Sequence, residues 1–83
     1  MDGAIVRAVA LWLLRAYLEA LGGQAQANGG VASEGWQARL TQLADAEVGS
    51  LRLGQVRLEL SGDEAAVARL QVALRPKLLR AGG

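Results

Sequence analysis

The sequence contains no histidine and no cysteine among its 83 residues. Their absence removes the usual general base near neutral pH, the thiolate nucleophile and the soft metal ligands. What remains for chemistry is eight acidic and nine basic side chains and a few hydroxyl groups. No nucleophile, base and orienting group occur among them at a recognisable spacing. The composition therefore predicts a protein that is not an enzyme and uses no catalytic residue, cofactor or metal ion.

An excess of charge of one sign is also missing. Nine basic residues against eight acidic ones leave a formal net charge of +1. Domains that bind nucleic acid usually carry a basic excess that covers phosphates. The sequence therefore predicts no nucleic-acid partner.

Long uninterrupted apolar runs are absent as well. The most apolar stretch, Ala4–Leu21, contains Arg7, Arg15 and Glu19, which a membrane span or the centre of a signal peptide would not tolerate. We therefore expect a soluble, cytoplasmic protein without a membrane segment. Its 83 residues are 52% hydrophobic, which predicts one domain, residues 1–83, with a core of its own.

Apolar residues at three- and four-residue steps predict a first helix over Val9–Leu21. The glycines at 22–23 are a typical helix stop. Gly3–Arg7 is either the first turn of this helix or a separate short strand. The apolar stripe comprises Val6, Val9, Leu13, Tyr17 and Leu21, widened by Leu14 and Leu18.

Asn28-Gly29-Gly30 predicts a tight hairpin turn, since both central residues of an Asn-Gly turn take positive φ. The flanking residues are poor strand formers, so we expect short strands at a sheet edge.

From residue 35 the apolar period becomes two, which is typical of half-buried strands. Leu43 breaks the register and indicates a bulge or turn near Ala44-Asp45. A second run, Val48–Leu53, has Gly49 as a candidate bulge, and a turn is predicted at Gly54-Gln55. In the last strand Val56, Leu58 and Leu60 are predicted to face the core, with Arg57, Glu59 and Ser61 opposite.

Ser61-Gly62-Asp63-Glu64 predicts the start of a second helix, with Ser61 as N-cap and Glu64 as its capping-box partner. Pro76 should kink or end this helix. Helix, several antiparallel strands and helix make an α+β fold with both helices on one face of the sheet.

Three side chains are candidate partner contacts. Trp12 lies about 140° from Tyr17 around the helix, so it is either on a flank of the core, which we favour, or exposed at an interface. Arg57 and Glu59 share one side of a strand, where they either pair with each other or contact a partner.

The sequence closes with Gly82-Gly83. Ubiquitin-like sulfur carriers end in Gly-Gly, whose carboxylate is activated. Here the pair follows a helix rather than the last strand of a β-grasp fold, so a helix stop or tail is favoured over a carrier terminus.

Several segments together resemble the C-terminal domain of the MoaD-related proteins of Thermus-type bacteria. In those proteins the domain follows a ubiquitin-like module similar to the small, sulfur-carrying subunit of molybdopterin synthase. The segments are Trp12-Leu13-Leu14, Tyr17-Leu18-Glu19, Gly22-Gly23, Val48-Gly49-Ser50-Leu51, Arg57, Glu59, Gly62, Glu64-Ala65 and Gly82-Gly83.

The resemblance implies a TATA-binding-protein-like, or helix-grip, fold: strand, helix, four antiparallel strands and helix. It makes Gly3–Arg7 the first strand. No segment of these 83 residues resembles the ubiquitin-like module, and Ala10-Leu11 stand where the relatives have two prolines. The resemblance carries over no catalytic residue.

Three functions are compatible with these observations. The first is a non-enzymatic accessory or interaction domain linked to molybdopterin or sulfur-carrier pathways, with a protein partner such as a ubiquitin-like sulfur carrier or its enzymes, and also forming a homodimer. The second is a small apolar-ligand carrier, for which 83 residues leave little room. The third is a carrier activated at Gly83. We favour the first.

Overall fold

The computed structural model describes the backbone of residues 2–81 and the side chains of residues 3–79. Gly82 and Gly83, the candidate carrier terminus, lie outside the described residues. The elements are β1 (Asp2–Arg7), α1 (Leu11–Ala20), β2 (Gln24–Ala25), β3 (Val31–Ser33), β4 (Trp36–Val48), β5 (Leu51–Gly62) and α2 (Glu64–Ala81).

The strands form a five-stranded sheet in the order β1-β5-β4-β3-β2, and every neighbouring pair is antiparallel. The helix α1 packs against β2, β3 and β4, and α2 packs against β5 and α1. The predicted α+β architecture is confirmed. None of the helices among residues 2–81 combines the length and hydropathy that a bilayer crossing requires.

The first strand settles the ambiguity over Gly3–Arg7. These residues are extended and pair with β5, from Asp2 opposite Leu60 to Arg7 opposite Gln55. Ala8, at φ 62°, ends the strand. The β-branched pair of Ile5 and Val6 suits this pairing.

The first helix begins later than its apolar pattern predicts. Ala10 is the N-cap residue and has extended backbone, so Val9 precedes the helix although its side chain is buried. At the other end the Gly23 N–H donates to Leu18 O at 3.1 Å, which confirms the predicted stop. Leu14 and Leu18 are the buried residues of α1, so the stripe is centred on them rather than on its predicted middle.

The hairpin between β2 and β3 is confirmed, with a different turn geometry. Gly29 has φ 88°, whereas Asn28 does not have positive φ. The Asn28 side chain instead accepts a hydrogen bond from Gly30 N at 2.9 Å, as is common for asparagine in turns. Arg15, which the pattern placed on the outer side of α1, is part-buried and donates to Gly29 O at 3.2 Å. It ties the hairpin to the helix.

The chain reverses between β4 and β5 at residues 49–50, where Val48 lies opposite Leu51. The predicted turn at Gly54-Gln55 is therefore wrong, and β5 runs through it. The predicted bulge is confirmed, because the register shifts between Leu43 and Ala46. Two β4 residues there lie opposite one β5 residue.

The N-cap residue of α2 is not the one predicted. Ser61 belongs to β5 and pairs with Gln37. The carboxylate of Asp63 accepts the Ala66 N–H at 3.0 Å instead, so the N-cap lies two residues later. The helix does not end at Pro76 but continues to Ala81. Lys77 lies 5.6 Å from the ring centre of Tyr17, a cation–π contact between the two helices.

Replacing Asp63 with alanine should lower the free energy of unfolding by about 1 kcal/mol, because the Ala66 N–H loses its acceptor. Asp63→Asn should retain most of the stability, and Ser61→Ala should cost less than Asp63→Ala. Urea denaturation monitored by circular dichroism measures all three. A larger loss for Ser61→Ala than for Asp63→Ala would contradict this cap.

One core lies between the sheet and the two helices. Leu14, Leu18, Val31 and Val56 are its most completely buried large side chains. The period-two prediction for β5 is confirmed, since all three residues expected to face the core are buried. The core comprises Val9, Leu14, Leu18, Val31, Trp36, Ala38, Val56, Leu58, Leu60, Ala66, Val67, Leu70 and Leu74.

Candidate functional site

The two helices cover one face of the sheet, and no described residue covers the other. On β5 the core residues point towards the helices, so Arg57 and Glu59 point away from them. Cross-strand partners share a face, which adds the partners of these two residues on β1 and β4. We call this surface the open face. Its residues are Gly3, Ile5, Arg7, Gln37, Arg39, Thr41, Leu43, Gln55, Arg57, Glu59 and Ser61.

The middle of the open face is polar and slightly concave. Arg39 lies directly opposite Glu59, and Thr41 lies opposite Arg57. A concavity of about 630 Å³ separates these strands from the β2–β3 loop. Among the open-face side chains, arginines outnumber the one carboxylate, that of Glu59. Within the described residues, no group of three or more Asp or Glu could hold a metal ion.

One end of the open face continues onto a projecting hairpin, which we call the arm and define as Ala44–Leu53. No side chain of the arm is buried. Its outward residues are Ala46 and Val48 on β4, paired with Leu53 and Leu51 on β5. Val48 is 52% exposed and Leu51 63% exposed. The arm therefore presents an apolar face to solvent.

The bulge decides which residues the arm displays. In a regular strand, alternation from Leu43 would bring Asp45 and Glu47 onto the open face. The extra residue in β4 shifts the alternation by one position, so Ala46 takes that face. Glu47 lies on the other side, where its carboxylate is 3.4 Å from the Arg52 guanidinium. The alternation that makes the arm apolar thus depends on one inserted residue.

Trp12 lies elsewhere. It is 69% exposed, so the favoured interpretation as a flank of the core is wrong. Two residues correspond to about 200° around a helix, so a helix that buries Leu14 turns Trp12 outward. Trp12 lies on the helical side of the molecule, whereas Arg57 and Glu59 lie on the open face. The structure brings the two charged candidates together and separates the tryptophan from them.

A second concavity, which sequence patterns did not indicate, is an apolar groove of about 500 Å³ between β1 and the C-terminal half of α2. Ala4, Val6 and Leu78 line it, together with core residues of β5 and α2. It lies at the sheet edge, while the interior under α1 is filled by Leu14 and Leu18. The small apolar-ligand carrier considered from the sequence stays a prediction.

The family model for archaeal MoaD-like proteins matches residues 4–83 of the chain. The chain belongs to the archaeal MoaD-like family. The match includes the open face except Gly3, the arm and both helices, and it confirms the MoaD-related resemblance seen in the sequence. The TATA-binding-protein-like, or helix-grip, classification and the specific likeness to proteins of Thermus-type bacteria stay predictions. No curated protein matches the chain.

Proposed function

We propose that this chain is a non-enzymatic interaction domain that binds a sulfur-transfer partner protein through the open face and the arm. The partner is a ubiquitin-like sulfur carrier or an enzyme that acts on one, in a molybdopterin or related sulfur-carrier pathway. One observation carries the proposal: the described residues leave one face of the sheet uncovered, and on it exposed apolar residues adjoin a charged region. Family membership supports the class of partner, and the lack of histidine and cysteine supports a non-enzymatic role.

The apolar part of this surface has the character of an interface. Two of the exposed large hydrophobic side chains, Val48 and Leu51, lie on the arm. Protein interfaces combine an apolar, desolvated centre with a polar rim. In the proposed interface the arm is the apolar centre, and the arginines and amides of β4 and β5 beside it form the polar rim.

The charge of the open face selects the kind of partner surface. Arg39 and Arg57 are exposed, and no hydrogen bond or ion pair to either is found among the described residues. A partner that presents carboxylates around an apolar patch would complement them. Because exposed charges are screened within about 8–10 Å at physiological ionic strength, we expect the affinity to fall as salt is added.

Leu51→Asp tests the proposal most directly. The purified protein is titrated calorimetrically with the ubiquitin-like sulfur carriers of its own organism and with their activating enzyme. Binding by the wild type should weaken about tenfold or more in Leu51→Asp, because a carboxylate in the apolar centre loses its hydration without gaining a partner. Val72→Asp is the matched control, since Val72 is 69% exposed on α2, and it should bind like the wild type.

Two results would contradict the proposal. One is a wild-type chain that binds none of these proteins, either in titrations or in pull-downs from its native cells. The other is equal weakening by Leu51→Asp and Val72→Asp, which would place the contact away from the arm.

A further inference from the structure

The strand β1 is an unprotected sheet edge. Among residues 2–81 it pairs with β5 on one side and with no strand on the other. In native sheets, short edge strands, bulges or charges prevent an edge from pairing with another chain. The opposite edge, β2, is two residues long, and β4 carries its bulge and Asp45 beyond the part that pairs with β3. By contrast, β1 is six residues long, pairs without a bulge and carries no charge from Gly3 to Val6.

The backbone of β1 offers its hydrogen bonds at regular positions. The Ala8 N–H donates to Gly54 O at 2.9 Å, which continues the register beyond Arg7. In an antiparallel ladder, alternate residues direct both backbone groups to the same neighbouring strand. Residues of even number therefore bond to β5. The N–H and C=O groups of Gly3, Ile5 and Arg7 point away from β5 to the free edge.

We infer that two copies of this chain pair β1 against β1 to form a symmetric dimer with a continuous ten-stranded sheet. Antiparallel pairing about an axis perpendicular to the sheet keeps both helical layers on one side. In this register Ile5 lies opposite the partner's Ile5, and Gly3 lies opposite the partner's Arg7. All three residues with outward backbone groups then have partners, and Ile5, 53% exposed in the monomer, is covered.

Charge complementarity favours a second copy over an unrelated strand. On the open face Gly3 lies between Glu59 on β5 and the partner's Arg7, because Gly3 pairs with Glu59. A Cβ built on Gly3 would lie 3.8 Å from Glu59 Cγ, so the Glu59 side chain extends beside this glycine. Arg7 is exposed, and its Nε donates to Gln55 Oε1 at 3.0 Å, the one hydrogen bond of its side chain among the described residues. Its terminal nitrogens can reach the partner's Glu59 across the glycine, once on each side of the axis.

The apolar groove beside β1 is further evidence that a second copy pairs at this edge. Leu79 is 70% exposed and lines the groove together with Ala4 and Val6 of β1. In the proposed register Ala4 lies opposite the partner's Val6, so a second copy extends the apolar layer below Leu79. Pairing thus covers apolar side chains on the helical side of the sheet, and on the open face it brings Arg7 of each copy close to Glu59 of the other.

The first test is Ile5→Lys in sedimentation equilibrium of the full chain. The cross-strand neighbour of Ile5 on β5 is Arg57. In a dimer of the variant, the two introduced lysines and the two Arg57 side chains would lie in one row across the axis. The dissociation constant should rise about tenfold or more relative to the wild type. Val72→Lys, a similarly exposed site on α2, should dimerise like the wild type. A wild type that stays monomeric up to about 1 mM, or an Ile5→Lys variant that dimerises unchanged, would overturn the inference.

The second test fixes the register. Arg7→Glu should weaken the dimer because it opposes the partner's Glu59, and adding Glu59→Arg should restore it. Hydrogen exchange should show amides of Gly3, Ile5 and Arg7 that are protected only at high concentration, whereas those of Ala4 and Val6 are protected at all concentrations. If Glu59→Arg does not restore the dimer of Arg7→Glu, and the exchange of the three amides does not depend on concentration, this register is ruled out. Leu51→Asp should leave the dimer intact, so dimerisation and partner binding are tested separately.

Discussion

Replacing Gly62 with alanine is expected to destabilise the fold severely. Gly62 ends β5 at φ 128°, where an L side chain is strained, and a Cβ there would clash with the carbonyl oxygen of Gly35 and lie 2.9 Å from Trp36 Cα. Backbone strain of about 1–3 kcal/mol and overpacking of about 1–3 kcal/mol together should lower the free energy of unfolding by about 2–6 kcal/mol. Both contacts are with backbone atoms, so neither can be relieved by a rotamer change.

Gly54→Ala is the control for this effect. A Cβ on Gly54 meets no heavy atom within 4 Å, and this glycine does not have positive φ. Its free energy of unfolding should change by no more than about 1 kcal/mol. Guanidinium denaturation of the two variants and the wild type gives the comparison. Similar stabilities for the two alanine variants would show that the Gly35–Gly62 contact is not as close as described.

Replacing Leu14 with alanine should lower the free energy of unfolding by about 2–5 kcal/mol, the range for a buried leucine that leaves a cavity. Leu14 is 0% exposed and points from α1 into the core beside Leu18. The expected loss also tests where the apolar stripe of α1 is centred, since sequence periodicity placed its middle one residue earlier.

Leu13→Ala serves as the matched control, because it makes the same change of residue type on the same helix. Leu13 is half-buried, so its loss should be clearly smaller than that of Leu14→Ala. Thermal and urea denaturation of both variants check the order. A larger loss for Leu13→Ala would mean that α1 is rotated about its axis relative to the packing described here.

Local patterns in the sequence predicted much of the sheet. The alternation of Val56, Leu58 and Leu60 is confirmed, because a strand with one face on a core must alternate whatever its neighbours are. The same alternation placed Arg57 and Glu59 together on the opposite side. The bulge near Ala44-Asp45 is also confirmed, since a break in a strict period of two is itself a local signal.

The wrong predictions concern places where the sequence offers two equally suitable residues for one turn or one N-cap. A glycine occurs at both 49 and 54, and only strand pairing determines that the chain turns at residues 49–50 and passes straight through Gly54. Ser61 and Asp63 are both good N-caps, yet β5 pairing extends to Gly62 and leaves the cap to Asp63. The prediction that Trp12 lies on a flank of the core is wrong because the apolar stripe is centred on Leu14 and Leu18, one residue from its predicted middle.

The candidate site was only partly predictable. The orientation of Arg57 and Glu59 follows from the alternation of one strand. The apolar arm does not, because it depends on how two strands pair on either side of a bulge. The groove beside β1 depends on where α2 lies over the sheet, which no pattern within a single element specifies.

By itself, the sequence determined the α+β class, the buried side of each regular strand and the lack of histidine and cysteine chemistry, because periodicity and composition act locally or on the chain as a whole. The tertiary structure alone decided which sheet face stays open, which residues the arm displays and which edge is left unpaired. Those features depend on register and helix placement, which are set by contacts between residues far apart in the chain.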